Sequence, residues 1–171
     1  MDRRVFLLGS AMFPFARRIP LSVSFRHKAW EAFCHNEPWA LKPHSFAGYS
    51  DWVDKATEIN NSINRRPYRS GSNIPDRLEG ATNHCVTQAL RKWYELSKLG
   101  FSSARLLVLT SPGPDFHAAL LLHLDTGDYI LDNLAKGTVL GLHHWTKLKR
   151  KPYFVTDGDR CRAIAPLAGV T

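Results

Sequence analysis

Asn83-His84-Cys85-Val86-Thr87-Gln88-Ala89-Leu90-Arg91-Lys92-Trp93-Tyr94-Glu95-Leu96 reads as one amphipathic helix, and the rest of the chain is best understood by its relation to that helix. Positions 85/86, 89/90, 93 and 96 share one apolar face, the spacing of a helix packed on a core. Gly100 stands past the end, where a left-handed residue closes a helix, and Thr82 or Asn83 precedes the start as N-cap. Cys85 then falls in the first turn, where unpaired backbone N–H groups and the helix dipole stabilise a thiolate. Taken alone, such a cysteine reads more readily as a small buried apolar side chain. A catalytic role requires a histidine within reach and a group that orients the histidine.

Both occur downstream. Residues Ala104–Thr110, His117–Leu124 and Tyr129–Leu134 have strand composition and are separated by the turn sequences Ser111-Pro112-Gly113-Pro114 and Asp125-Thr126-Gly127-Asp128. They predict an antiparallel meander, to which a weaker strand at about Pro152–Thr156 adds. His117 opens the second strand, and Asp132 is a carboxylate in the otherwise apolar third. Register decides whether the two can meet, because a one-residue slip sends a side chain to the other face. If Leu122 opposes Tyr129, His117 and Asp132 share a face as a diagonal pair about 7 Å apart at Cβ. A tight turn at Thr126-Gly127 would instead leave them roughly 13 Å apart along the strand, so the pairing predicts a wider loop or a bulge. His123 lies six residues beyond His117, too far along the strand to serve the same site.

Upstream, Trp52, Val53, Ala56, Ile59 and Ile63 fall at helical spacing, with Asp51 as N-cap and Pro67 beyond the end, and predict a helix over 51–65. Residues 66–82, with Pro67, Gly71, Pro75 and Gly80, read as a long loop, which in a compact domain is commonly functional. Between Leu21 and Tyr49 the pattern supports one short helix at about His27–Cys34 and then loop. Helices first and sheet second give an α+β fold with a single domain over 21–171. Residues 1–20 are set apart: a basic start, then an apolar run to Ala16, read as an export signal or an N-terminal arm. Arg3-Arg4-Val5-Phe6-Leu7 is similar to a twin-arginine signal, which predicts a periplasmic or secreted protein, with a cytoplasmic one as the alternative.

The 171 residues suit one domain with one core. With 44% hydrophobic and 22% charged residues and no apolar run near 20 residues long, disorder and a membrane span are both excluded as expectations. The net charge of +8 raises nucleic acid as a partner, but the basic residues are dispersed apart from Lys147-Leu148-Lys149-Arg150-Lys151, so no specific nucleic-acid site is expected. Three cysteines are too few for a disulfide scaffold and lack zinc-site spacing. In an exported chain Cys34 and Cys161 could pair and leave Cys85 free.

The order helix-Cys, strand-His, strand-Asp resembles the bacterial transglutaminase-like cysteine proteinases, of papain/transglutaminase-like fold. The resemblance rests on Asp51-Trp52-Val53 through Asn64, Asn83–Ala89, Tyr94–Gly100, Phe116-His117-Ala118-Ala119-Leu120 and Tyr129-Ile130-Leu131-Asp132-Asn133, about half of the chain. It implies a nucleophile helix packed on a C-terminal antiparallel sheet, Cys85, His117 and Asp132 as catalytic residues, and thiol-dependent cleavage of a protein or peptide substrate. Family members usually carry Gly-Asp-Cys-Glu-Asp at the nucleophile, where acidic residues serve calcium in the biofilm-adhesin proteases. Here the neighbours are Asn83, His84, Val86 and Thr87, so neither a cofactor nor a metal site is expected. Acyl transfer to an amine and a catalytically silent binding module of the same fold are the alternatives.

Overall fold

The structure is a computed structural model that describes residues 21–41, 52–71, 73–101, 104–110, 116–124, 127–134, 140–141, 152–157 and 160–163. Three helices, α1 (Leu21–Asn36), α2 (Trp52–Asn64) and α3 (Cys85–Lys98), precede six strands. The strands are β1 (Ala104–Thr110), β2 (Phe116–Leu124), β3 (Gly127–Leu131), β4 (Leu140–Gly141), β5 (Pro152–Asp157) and β6 (Arg160–Ala163). They form one antiparallel sheet in the order β4-β3-β2-β1-β5-β6. This is the α+β arrangement the pattern predicts, extended by two short edge strands, β4 and β6.

The Cys85 helix ends as its sequence dictates. Gly100 adopts φ 90°, a conformation that costs a side-chain-bearing residue energy, so its N–H reaches Ser97 O at 3.0 Å while the Phe101 N–H reaches Leu96 O at 3.0 Å. The start differs from expectation. His84, not Thr82 or Asn83, is the N-cap, in extended conformation, and its N–H donates to Thr87 Oγ1 at 2.9 Å. Asn83 is drawn away by other partners, since its Nδ2 donates to the carbonyls of Arg66 and Pro67.

Helix α2 matches its prediction, burying Trp52, Ala56, Asn60 and Ile63; the proposed cap Asp51 lies outside the described residues. Helix α1 is longer than the predicted 27–34. Its Trp30 and Phe33 are fully buried, Trp30 stacks on Trp93 of α3 at 5.9 Å, and Trp39 meets Phe33 and Trp93 edge-on. Each such pair adds about 0.5–1.5 kcal/mol beyond its buried area, enough to hold a helix whose own periodicity is weak. Glu37 ties this corner to the long loop, accepting from Trp39 Nε1 and from the Leu78 N–H, both at 2.8 Å.

The main core lies between α3 and one face of the sheet. Val86, Ala89, Leu90, Trp93 and Leu96 meet Leu106, Ala118, Leu120, Leu122 and Leu131 there, while Ala119 and Ile130 form a smaller cluster on the opposite face with Leu121 and Val155. The alternation along β2 therefore sorts residues between two buried surfaces, and a one-residue register slip would exchange the two sets. None of the described helices is long and apolar enough to cross a membrane. Residues 1–20, which carry the export expectation, lie outside the described residues.

Candidate active site

The register of β2 on β3 brings the site together. Leu122 opposes Tyr129, as the diagonal pairing requires, but the predicted wider loop is not how this is achieved. Leu124 pairs with Gly127, so only residues 125 and 126 connect the strands. The connection is as short as that expected at Thr126-Gly127 but lies one position earlier, and that single step restores the parity. Strand β3 also stops at Leu131 instead of running to Leu134. Asp132 stands just past its end, where Oδ1 accepts the Leu134 N–H at 3.0 Å and turns the chain, while Asn64 Nδ2 of α2 holds the Asp132 carbonyl at 2.9 Å. Both anchors fix the carboxylate in space.

His117 Nε2 donates to Asp132 Oδ1 at 2.6 Å, with the two side chains 9% and 1% exposed. With Nε2 committed, Nδ1 is the nitrogen left for the thiol. Cys85, buried at the start of α3, is in hydrogen-bonding reach of the His117 ring, the His84 ring and the Ala118 N–H. Burial pushes the Cys85 thiol up, but these three bonds and the charge on His117 outweigh it and bring the group down to about 6. Burial works against the charged form of His117 as well, yet its bonds to Asp132 and Cys85 raise it above its ordinary value. Burial raises Asp132, and the His117 bond and charge reverse the sign, with help from the Leu134 N–H and the charge of Lys92. Each member thus favours its neighbour's charged form, the condition for a standing thiolate–imidazolium pair.

Four further residues were not singled out by sequence reasoning. His84 is buried against the thiol, and a Cβ on Gly71 would come within 2.8 Å of its ring, so the long loop packs directly on this imidazole. Gln88 and Lys92 are buried on α3, and Asn64 holds Asp132. The available signal was two polar residues three and seven positions after Cys85, on a helix side expected to be buried. His123 pairs with Asp128 near the far end of β2, away from the thiol as expected. Cys34 is buried and in no disulfide, and the Cys161 side chain lies outside the described residues.

The oxygens beside the nucleophile do not suit calcium, which takes 6–8 oxygen ligands rich in carboxylate. Thr87 Oγ1 is occupied by the Thr82 carbonyl and the His84 N–H, and Asn83 Oδ1 accepts from the Arg91 guanidinium at 2.9 Å, so a cation already sits there. Among the described residues no three His, Cys, Asp or Glu side chains cluster as a metal site.

An N-terminal-helix thiol packed on an antiparallel sheet that carries the histidine and carboxylate defines the transglutaminase-like fold class. The sequence profile of the bacterial transglutaminase-like cysteine proteinases (BTLCP) matches residues 24–150, and the chain belongs to that family. Among solved structures it is similar to Legionella pneumophila LapG (EGTA-treated), at 16% identity and a TM-score of 0.48, over 80% of this chain and 74% of that one. No curated protein sequence matches it.

Proposed function

We propose that the protein is a cysteine peptidase that cleaves amide bonds in a protein substrate, with Cys85 as nucleophile, His117 as general base and acid, and Asp132 as the group that orients His117. The Cys85 thiolate attacks the scissile carbonyl carbon, and the N–H groups of the first turn of α3 face the developing oxyanion. The C–N bond breaks as the His117 imidazolium gives its proton to the leaving amine, which leaves a thioester on Cys85. Water then adds, its proton passing to His117, and the C–S bond breaks to release the acid and restore the thiolate–imidazolium pair.

The observation that carries this reading is the buried His117–Asp132 pair at 2.6 Å with the Cys85 thiol in reach of the same ring. The test is labelling with iodoacetamide at pH 6, read by mass spectrometry. Cys85 is expected to react there and buried Cys34 is not, and Cys85→Ala is expected to abolish hydrolysis of an unfolded protein substrate while the circular dichroism spectrum is kept. Undiminished hydrolysis by Cys85→Ala ends the reading.

Export to the periplasm or the exterior is proposed with it, on the strength of Arg3-Arg4-Val5-Phe6-Leu7. Cell fractionation of the full chain against an Arg3→Lys/Arg4→Lys variant tests this, with cytoplasmic retention of the variant alone as the expected result.

A further inference from the structure

Between Glu58 and Asp76 the sequence holds no acidic residue, and between Glu79 and Glu95 there is again none, while Arg65, Arg66, Arg69 and Arg91 fall inside these two stretches. The fold brings the stretches together just ahead of the nucleophile. The Arg69 N–H donates to the Asn83 carbonyl at 2.8 Å, and Asn83 Nδ2 reaches back to the carbonyls of Arg66 and Pro67 at 3.2 and 2.8 Å. Gly71 lies so close to His84 that a Cβ there would stand 2.8 Å from the ring, and His84 is the residue before Cys85. Residues 66–71 are therefore a strap held by its backbone along the approach to α3. Its side chains are left to solvent: every residue from 65 to 71 is exposed, and Tyr68, between Arg66 and Arg69, is 52% exposed.

The guanidiniums gathered here have no counter-charge. Arg91 gives its N–H groups to neutral acceptors, Asn83 Oδ1 at 2.9 Å and the Ala81 carbonyl at 2.7 Å, and burial together with the charge of Arg66 lowers it below the ordinary guanidinium value. Lys98, on the same helix, has Glu95 beside it, but among the described residues no carboxylate pairs with Arg66, Arg69 or Arg91. Like charges held together without an anion repel, and an anion placed between them relieves the repulsion. A carboxylate suits the site, because the guanidinium fork offers it two parallel N–H donors. The strap is extended and spans at most roughly 20 Å, so it matches a short stretch of another extended chain.

We propose that the strap 66–71 is a substrate-docking wall that selects acidic polypeptide, with Arg66 and Arg69 taking Asp or Glu side chains of an extended segment and so leading its scissile bond to Cys85. This names the substrate class of the peptidase site and rests on the peptidase reading. Polypeptide fits this wall better than nucleic acid because the strap ends at a nucleophile whose chemistry addresses a carbonyl carbon.

The experiment is the binding of fluorescein-labelled poly-L-glutamate, about 20 residues long, to the full chain at low salt, read by fluorescence anisotropy. Native protein is compared with Arg66→Gln/Arg69→Gln and with the charge-matched Lys28→Gln/Lys55→Gln. Both lysines are exposed, Lys28 on α1 and Lys55 in a groove with Lys98 and Leu99 at the other end of α3, so the control loses the same charge elsewhere. The changes at 66 and 69 spare the backbone bonds that hold the strap, and circular dichroism verifies the fold. Kd is expected to rise about fivefold or more in the strap variant and to stay within about twofold in the control. Equal weakening in both variants, or in neither, overturns the inference, since the attraction is then a diffuse one to a basic protein. Tighter binding of a single-stranded DNA of similar length through the same arginines overturns it as well and makes the strap a nucleic-acid contact. Saturating poly-L-glutamate is also expected to slow iodoacetamide labelling of Cys85, and an unchanged rate overturns the docking role. Failure of Cys85 to label at pH 6 without peptide breaks the peptidase reading, whereas the anisotropy comparison involves no thiol and reads the strap separately.

Discussion

Strand β2 carries two histidine–aspartate pairs six residues apart, and they differ in everything except their chemistry. His117–Asp132 is buried, 9% and 1% exposed, and continues into the Cys85 thiol. His123–Asp128 is a directly opposed cross-strand pair, 25% and 36% exposed, near the far end of the strand. Exposed ion pairs contribute about 0–1 kcal/mol and are screened by salt, whereas a pair withdrawn from water acts strongly on each neighbour's proton. The lesson is that a histidine–carboxylate contact becomes a candidate for chemistry through its burial and its third partner.

The largest expected effect separates the two pairs by activity. His117→Ala should lower kcat/KM for peptide hydrolysis by roughly 10³-fold or more, and His123→Ala should leave it within about twofold. A comparable loss in both variants would break the distinction. Next in size, Asp132→Asn is expected to cost roughly 10²- to 10⁴-fold in kcat with the fold retained, because the ring loses its orienting acceptor, while Asp128→Asn is silent.

Stability against pH sharpens the same contrast. Asp132 is held below its ordinary value of 3.8, so it contributes stability above that value, and the contribution is lost as pH falls through the lower folded value. His117 is raised above 6.5, so its contribution is complete below 6.5 and is lost as pH rises through the raised value. Thermal midpoints measured from pH 2 to 9 should therefore fall at the acid end more steeply in the native chain than in Asp132→Asn.

A smaller effect concerns the loop that leads into the nucleophile helix. Arg91 donates to Asn83 Oδ1 at 2.9 Å and to the Ala81 carbonyl at 2.7 Å, and Asn83 in turn grips residues 66 and 67. Arg91→Ala is expected to destabilise the chain by about 1–3 kcal/mol in urea unfolding, through two partners left unpaired. Smallest of all, EGTA followed by calcium add-back is expected to change neither activity nor melting temperature. A calcium-restored loss would show that carboxylates beyond the described residues complete a site.

The amino-acid sequence by itself determined what depends on neighbours along the chain. The period of α2 and α3, the closure of α3 at Gly100, the thiol in its first turn and the strand character around His117 are all set by local sterics and burial patterns, and each is found as read. The trio Cys85, His117 and Asp132 was legible for the same reason, because each residue interrupts or begins a locally recognisable element. Tertiary structure decided what depends on partners distant in sequence. Helix α1 is anchored by Trp30 on Trp93 and by Phe33 on Trp39, and His84 takes the cap because Asn83 is claimed by residues 66, 67 and 91. The β2–β3 connection falls at residues 125 and 126 because only that register sets the apolar residues of both strands in their two cores. Lys92 is a further instance, since its 1% exposure follows from the packing of α3 on the sheet and not from its residue type.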